Sequence, residues 1–214
     1  MRKLLDLFCG AGGASVGYHR AGFDVTGVDI AAQKNYPYPF IQADALTWTD
    51  WDFEYVHASP PCQGFSATRH LPWNHNKPYP DLLTPIRQRL IEAGVYYVIE
   101  NVPGAPMRPD VVLCGTMFGL RVIRHRWFEI SPPCLILTPP CNHWGSVKDG
   151  TFFCVVGQGY RNKPSHFAIS KYAKREVASK AMGGLDWMHR YEIVQAVPPA
   201  YTEFIGRGLC SGLD

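Results

Sequence analysis

The run Ser59-Pro60-Pro61-Cys62-Gln63-Gly64-Phe65-Ser66 carries the strongest chemical signal in the chain. Two prolines stiffen the backbone directly before a thiol, and a Gln-Gly pair follows it. A cysteine nucleophile needs such rigid placement, together with a polar setting in which the thiolate can form. A buried structural cysteine, the commoner fate of a free thiol, does not need it. A second signal stands near the N-terminus, where Asp6-Leu7-Phe8 runs into Cys9-Gly10-Ala11-Gly12-Gly13. A strand followed by a glycine-rich turn and a helix lets a nucleoside approach the backbone closely. Ser15 occupies the place of the third glycine in a dinucleotide fingerprint, so the pyrophosphate signature is missing. Asp29, closing the next apolar stretch, is placed to hold ribose hydroxyls. The glycine cluster therefore reads either as a nucleoside site or as a structural turn.

Both motifs need strands to carry them. Residues 3–8 read as a buried strand, and a helix of about two turns follows over 14–21, closed by Gly22. A second strand spans 23–28, and further strands are expected around 39–42, 54–58 and 95–100. Between the last two, a helix is expected over 79–93, where Leu82, Leu83, Ile86, Leu90 and Ile91 recur at helical spacing, and Gly94 ends it. Strands alternating with helices in this rhythm indicate an open parallel α/β sheet, whose carboxyl edge is the ligand-binding edge. Cys62 follows the 54–58 strand directly, which sets it on that edge.

Beyond about residue 128 the texture changes. Ser131-Pro132-Pro133-Cys134 and Thr138-Pro139-Pro140-Cys141 interrupt regular structure, and the following stretch is rich in Gly, Lys, Arg, His and aromatics. The expected organisation is an α/β body over 1–128, a small irregular region over 129–181, and a segment over 182–214 that returns to the body. That last segment ends in an amphipathic helix over 200–208.

The 214 residues are 46% hydrophobic and 18% charged, enough to build a core and too apolar for a disordered chain. No stretch approaches the ~20 apolar residues of a membrane helix. Met1-Arg2-Lys3-Leu4-Leu5 begins like a secretion signal, but Asp6 interrupts it at once, so a cytoplasmic chain is expected. The net charge of +3 permits an anionic partner without demanding one. Seven cysteines, an odd number at irregular spacing, favour free thiols over a disulfide framework. Cys134, Cys141, His143 and Cys154 form C-x6-C-x-H-x10-C, which lacks the close cysteine pair of zinc patterns, so structural thiols are the expectation there. Cys9, Cys114 and Cys210 read as buried or incidental.

Taken together, the motifs closely resemble those of the DNA (cytosine-5) methyltransferases, particularly the compact phage and bacterial type. The family's D-L-F-x-G-x-G-G block is matched by residues 6–13 and its Pro-Cys-Gln block by Pro61-Cys62-Gln63. Glu100-Asn101-Val102 matches the Glu-Asn-Val block, and Val122-Ile123-Arg124-His125-Arg126 keeps both arginines of the Gln-x-Arg-x-Arg block. Val194-Gln195-Ala196-Val197-Pro198-Pro199 corresponds to the closing Gly-Asn-Ala-Val-Pro-Pro pattern. The blocks stand in family order and span nearly the whole chain. Gln195 occupies the place of the family's asparagine, and Val122 that of its glutamine.

The resemblance implies a Rossmann-like S-adenosylmethionine-dependent methyltransferase sheet with a small target-recognition insert. Cys62 would be the thiolate that adds to C6 of a cytosine, making C5 nucleophilic. Glu100 would hold a proton at N3, Arg126 would stabilise charge at the cytosine carbonyl, and Arg124 would support the cysteine loop or the DNA backbone. S-adenosylmethionine is the implied donor and S-adenosylhomocysteine the product, and no metal is needed. Phe8, Gly10, Gly12, Gly13, Asp29, Ile30, Asp44, Pro61, Gln195 and Val197 are the implied cofactor contacts. The implied partner is double-stranded DNA bound by a monomer, with no membrane involved, and the cytosine must flip out of the helix to reach Cys62. Gln63, Ser66 and Arg69 would touch nucleic acid, with Arg69, His70 and Trp73 in a loop over the flipped base. Gln158, Gly159, Tyr160, Arg161 and Lys163 would read the target, with Lys148, Lys171, Lys174, Arg175 and Lys180 as phosphate contacts. So short an insert implies a target of about two to four base pairs. An RNA-acting relative is disfavoured by the absence of that subgroup's Cys-Phe-Thr segment. A catalytically inert relative is disfavoured by the intact Cys62, Glu100 and Arg126, and a Rossmann oxidoreductase by Ser15 and the Pro-Pro-Cys run.

Overall fold

The computed structural model describes residues 1–66, 78–153, 155 and 174–211. Its centre is β1 (Arg2–Leu7), whose last four residues are buried on both faces, as expected of a central parallel strand. β1 pairs in parallel with β2 (Phe23–Asp29) on one side and with β4 (Tyr55–Ala58) on the other. β3 (Phe40–Gln42) extends the sheet beyond β2, and β5 (Tyr96–Asn101) extends it beyond β4. The full order is β3-β2-β1-β4-β5-β7-β6, with β6 (Val111–Leu113) at the edge and β7 (Arg126–Ser131) between it and β5.

The expected all-parallel sheet is corrected at this end, because β7 runs antiparallel to both of its neighbours. From β6 the chain passes through one 3₁₀ turn (Gly115–Phe118) and re-enters the sheet without a crossover helix, which only an antiparallel strand allows. Neither β6 nor β7 stood out in the sequence. β6 is three residues long and follows Pro109, and β7 opens on the arginine that was read as a site residue.

Helices cover both faces. Alternation along β1 sends Leu4 to one cluster, with Tyr18, Phe23, Val25, Tyr201 and Ile205, and sends Leu5 and Leu7 to the other, with Leu83, Ile86 and Leu90. The first face is packed by α1 (Gly13–Arg20) and α5 (Pro199–Ser211), the second by α2 (Leu83–Ala93). α5 lies against α1 closely enough that a Cβ on Gly17 would collide with Pro199 O and Thr202 Oγ1, while the Thr202 hydroxyl donates to Ala14 O at 2.8 Å. α2 begins four residues later than the hydrophobic spacing suggested, because Asp81 accepts from the backbone of Leu83 and Thr84 and starts the helix there.

A third cluster joins Ala11 and Val122 to Val155, α3 (Arg175–Ala181), Met182, Leu185, Met188 and Ile193 of α4 (Arg190–Ile193). Ala178, Ala181, Met182 and Leu185 share this one core. Among the described residues no helix is long and apolar enough to cross a membrane.

Two polar residues of the sheet centre are fully buried beneath α1. Asp6 accepts from the Ser15 hydroxyl, and burial pushes its carboxyl up to about 7. His57 lies between Tyr18 Oη, 3.0 Å from Nδ1, and Ser59 Oγ, 2.7 Å from Nε2, and burial holds its ring down at about 3. The two have opposite linkage. Between 3.8 and about 7 native Asp6 keeps a proton that the unfolded chain releases, so its contribution to stability falls as pH rises. Between 6.5 and about 3 the unfolded chain takes up a proton that native His57 refuses, so stability falls as pH drops. The slopes cancel where the windows overlap. Asp6→Asn, which can still pair with Ser15, is expected to unmask the histidine slope of about 1.4 kcal/mol per pH unit. Urea melts of both proteins across this range check it, and parallel pH profiles would contradict it.

Candidate active site

The carboxyl ends of β1, β2, β4 and β5 hold the sequence-predicted residues. After β4 the chain continues through Ser59, buried Pro60 and exposed Pro61 to Cys62, which is half-buried. The backbone carbonyl of Cys62 accepts the N–H of Phe65 at 3.0 Å and of Ser66 at 2.9 Å, closing a tight turn behind the thiol. Asn101, at the end of β5, donates from Nδ2 to Pro60 O at 3.0 Å and accepts the Val102 N–H on Oδ1 at 2.9 Å. It is fully buried and clamps the proline turn to the adjacent strand. Its motif was recognised in the sequence, but this positioning role was not. The available signal was its place next to Glu100, on the opposite face of the same strand end.

Glu100 is buried on the face of β5 that carries Val98. Arg126, at the start of β7, brings Nε to 2.6 Å from Glu100 Oε1. The two groups form a close, buried ion pair. Arg126 also donates from one terminal nitrogen to His125 O at 2.8 Å. Burial raises the Glu100 carboxyl above its ordinary value, against the opposing charges of Arg126 and Arg124 and the Ser59 hydroxyl. Burial likewise raises the Cys62 thiol, while Arg126 and then Arg124 pull it down and Glu100 pushes it up. Thiol, carboxyl and guanidinium therefore belong to one electrostatic unit.

Arg124 has a different task from Arg126. Its two terminal nitrogens donate to Val155 O at 2.9 Å and to Val194 O at 3.1 Å, and its own carbonyl accepts from Tyr201 Oη at 2.5 Å. Burial, with Arg126 beside it, lowers its pKa to about 9, so it keeps its charge at neutral pH. It is a positioning residue that ties the insert and the closing segment to the sheet. Val122, at the family's glutamine position, packs in the third cluster and has no polar task.

The glycine turn separates into two functions. Phe8 adopts a left-handed backbone with φ 59°, which costs a non-glycine residue about 1–2 kcal/mol and bends the chain sharply out of β1. Gly10 N–H donates to Asp29 Oδ2 at 3.0 Å, and a Cβ at Gly10 would meet only open space. Gly12 and Gly13 were expected beside a ligand as well. A Cβ would strike Pro37 Cδ at 2.9 Å from Gly12 and Val197 O at 2.5 Å from Gly13, so protein packing by itself already requires glycine at both. Val197 itself is buried. Asp29 is held from both sides, since the Ala31 N–H donates to Oδ1 at 2.9 Å. Beside it Ile30 is 69% exposed, an apolar flank at the mouth of the turn. Asp44 Oδ1 accepts the Leu46 N–H at 2.9 Å at the end of β3, and Gln195 is exposed between α4 and α5. Trp187 Nε1 donates to Ala11 O at 2.8 Å, an anchor for the turn that the sequence did not reveal.

These residues fit an adenosyl donor. The open face at Gly10, the pre-oriented Asp29 carboxylate and the exposed Ile30 form a cradle for a nucleoside, and Asp44 stands one strand further along the same edge. Of the expected nucleic-acid contacts, Gln63 is exposed and Ser66 is half-buried beside Cys62. Arg69, His70, Trp73, Cys154, Gln158, Gly159, Tyr160, Arg161, Lys163 and Lys171 lie outside the described residues.

No protein-family model and no curated protein sequence matches the chain. Solved structures do. A protein encoded within an E. coli prophage and assigned as a DNA modification methyltransferase superposes with a TM-score of 0.64 at 17% identity, covering 99% of each chain. The S. pombe Dnmt2 methyltransferase gives 0.62 at 14% identity, covering 100% of this chain and 99% of its own. The Entamoeba histolytica methyltransferase EhMeth gives 0.60, also at 14% and with the same coverage. Likeness at such identities is likeness of fold: the chain shares the α/β, Rossmann-like fold of these three methyltransferases.

Proposed function

We propose that this protein is a cytosine-5 methyltransferase acting on DNA. The observation that carries the reading is the meeting of Cys62, Glu100 and Arg126 at the carboxyl edge of β4 and β5, one loop away from the Gly10–Asp29 cradle. Similar fold in three methyltransferases supports the reaction class, and the sequence blocks support the base and the atom.

Cytosine C5 is too electron-poor to attack an alkyl donor unaided. Addition of the Cys62 thiolate to C6 breaks the C5–C6 double bond and moves that electron pair onto C5. Negative charge develops toward N3 as the thiolate adds, and a protonated Glu100 donates there. In the free protein the carboxyl is ion-paired with Arg126, and its burial, which raises its pKa, eases uptake of the proton that it then gives to N3. Arg126 faces both groups, lowering the thiol and lending positive charge where the carbonyl gains electron density. S-adenosylmethionine, held by Gly10, Asp29, Ile30 and Asp44 with Phe8 at the turn, supplies an electrophilic sulfonium methyl group when bound. After methyl transfer, loss of the C5 proton re-forms the double bond and expels the Cys62 thiolate.

The test replaces cytosine by 5-fluorocytosine in duplex DNA of mixed sequence, with S-adenosylmethionine present. Fluorine leaves no C5 proton to remove, so elimination stops and a denaturation-resistant adduct is expected, mapped by peptide mass to Cys62. An adduct with RNA of the same sequence but not with DNA would move the substrate class. No adduct on either, with donor binding demonstrated, would overturn the mechanism.

A further inference from the structure

A second convergence of reactive side chains lies outside this site. Cys114 follows β6, His125 sits between Arg124 and Arg126 at the entry to β7, and Cys141 and His143 stand in the loop beyond β7. One ligand atom from each, two sulfurs and two imidazole nitrogens, lie within 4.8 Å of one another. Cys141 Sγ is 2.8 Å from His143 Nε2 and 3.5 Å from His125 Nε2, and Cys114 Sγ is 3.4 Å from His143 Nε2. A tetrahedral ion with bonds of about 2.3 Å to sulfur and 2.0–2.1 Å to nitrogen separates its ligand atoms by roughly 3.3–3.8 Å. The observed spacings bracket those values.

The surroundings suit a metal as well. Thr116 Oγ1 lies 3.4 Å from Cys114 Sγ and 3.5 Å from Cys141 Sγ, and it accepts the Asn142 N–H at 3.2 Å. Its hydroxyl is thus fixed between the two sulfurs, the outer-shell placement that orients thiolate ligands. We propose that Cys114, His125, Cys141 and His143 bind a structural zinc ion. Two thiolates and two imidazoles without a carboxylate select zinc over hard cations, and four protein ligands close the tetrahedron, leaving no position for catalysis. Binding displaces the two thiol protons and gives a site of zero net charge.

The ion would clip three segments together where regular structure is sparse. It ties the loop at the root of the recognition insert to the end of β6. It also holds His125, whose carbonyl receives a hydrogen bond from Arg126, the partner of Glu100. The site joins no close cysteine pair in sequence, since its pattern is C-x10-H-x15-C-x-H. The expectation of no metal was drawn from an overlapping set, with Cys134 and Cys154 in place of Cys114 and His125. Of that set Cys134 packs against the first apolar cluster, and Cys154 lies outside the described residues.

The test does not depend on any enzymatic assay. The full chain, purified without chelator, should carry zinc at one equivalent by plasma mass spectrometry. Cobalt exchanged into it should show the intense visible bands of a tetrahedral site and a thiolate-to-cobalt charge-transfer band. Cys141→Ser and His143→Ala should each lose the bound metal and the spectrum, whereas Cys134→Ser should keep both. Zinc below stoichiometry in a zinc-supplemented, folded protein would overturn the proposal. So would retention of full metal by Cys141→Ser, or a Cys114–Cys141 disulfide in place of metal.

Discussion

Cys62→Ala is expected to abolish methyl transfer, lowering turnover by on the order of 10⁴-fold or more, about 5.5 kcal/mol of barrier. Among the described residues no other thiol is placed to take over its role. Cys9 is buried with burial raising its thiol far above the ordinary range, and Cys114 lies in the separate cluster with His143. Without a nucleophile at C6, C5 keeps its aromatic character, and the remaining residues only hold reactants in place. Binding of S-adenosylmethionine should change by less than about twofold, because Gly10 and Asp29 belong to different loops and couple weakly to the thiol. Titration calorimetry with the donor and a tritium-transfer assay on DNA separate the two effects. Turnover near that of the parent protein would end the covalent reading.

Glu100→Gln should cost about 10²–10⁴-fold in turnover, the usual worth of a positioned general acid. The amide keeps the shape but cannot give a proton to N3. The substitution also removes the anion that pushes the Cys62 thiol upward, and it leaves Arg126 without its carboxylate partner. Both changes favour the thiolate. Alkylation of Cys62 by iodoacetamide should therefore reach its midpoint at a lower pH in Glu100→Gln than in the parent. A more reactive thiol in a slower enzyme is the signature of a lost proton donor. A thiol that titrates higher, or turnover within a few fold of the parent, would count against this assignment of Glu100.

The sequence by itself determined the parts whose signal is local. The helical period of Leu83, Ile86 and Leu90, the glycine turn after β1 and the proline-framed thiol after β4 each need only neighbouring residues to be recognised. They sufficed for the α/β class and for setting Cys62 at the carboxyl edge of the sheet, whereas Glu100 and Arg126 were singled out only through the resemblance of their motifs. Tertiary structure alone decided what depends on residues far apart in the chain. Gly12 and Gly13 read like Gly10, yet packing against Pro37 and Val197 by itself already requires glycine at both, whereas Gly10 faces open space. Arg124 reads like Arg126, two positions away on the same edge, yet its donors go to Val155 O and Val194 O, while Arg126 turns to Glu100. β7 took its antiparallel direction from the short connection that returns the chain beside β6 without a crossover helix, a choice its own residues do not encode. Cys114, His125, Cys141 and His143 are scattered over three segments with no pattern in their spacing, and only the antiparallel return of β7 beside β6 brings their ligand atoms within 4.8 Å. Ligand geometry is a property of space, and a linear chain records it only where the ligands happen to be neighbours.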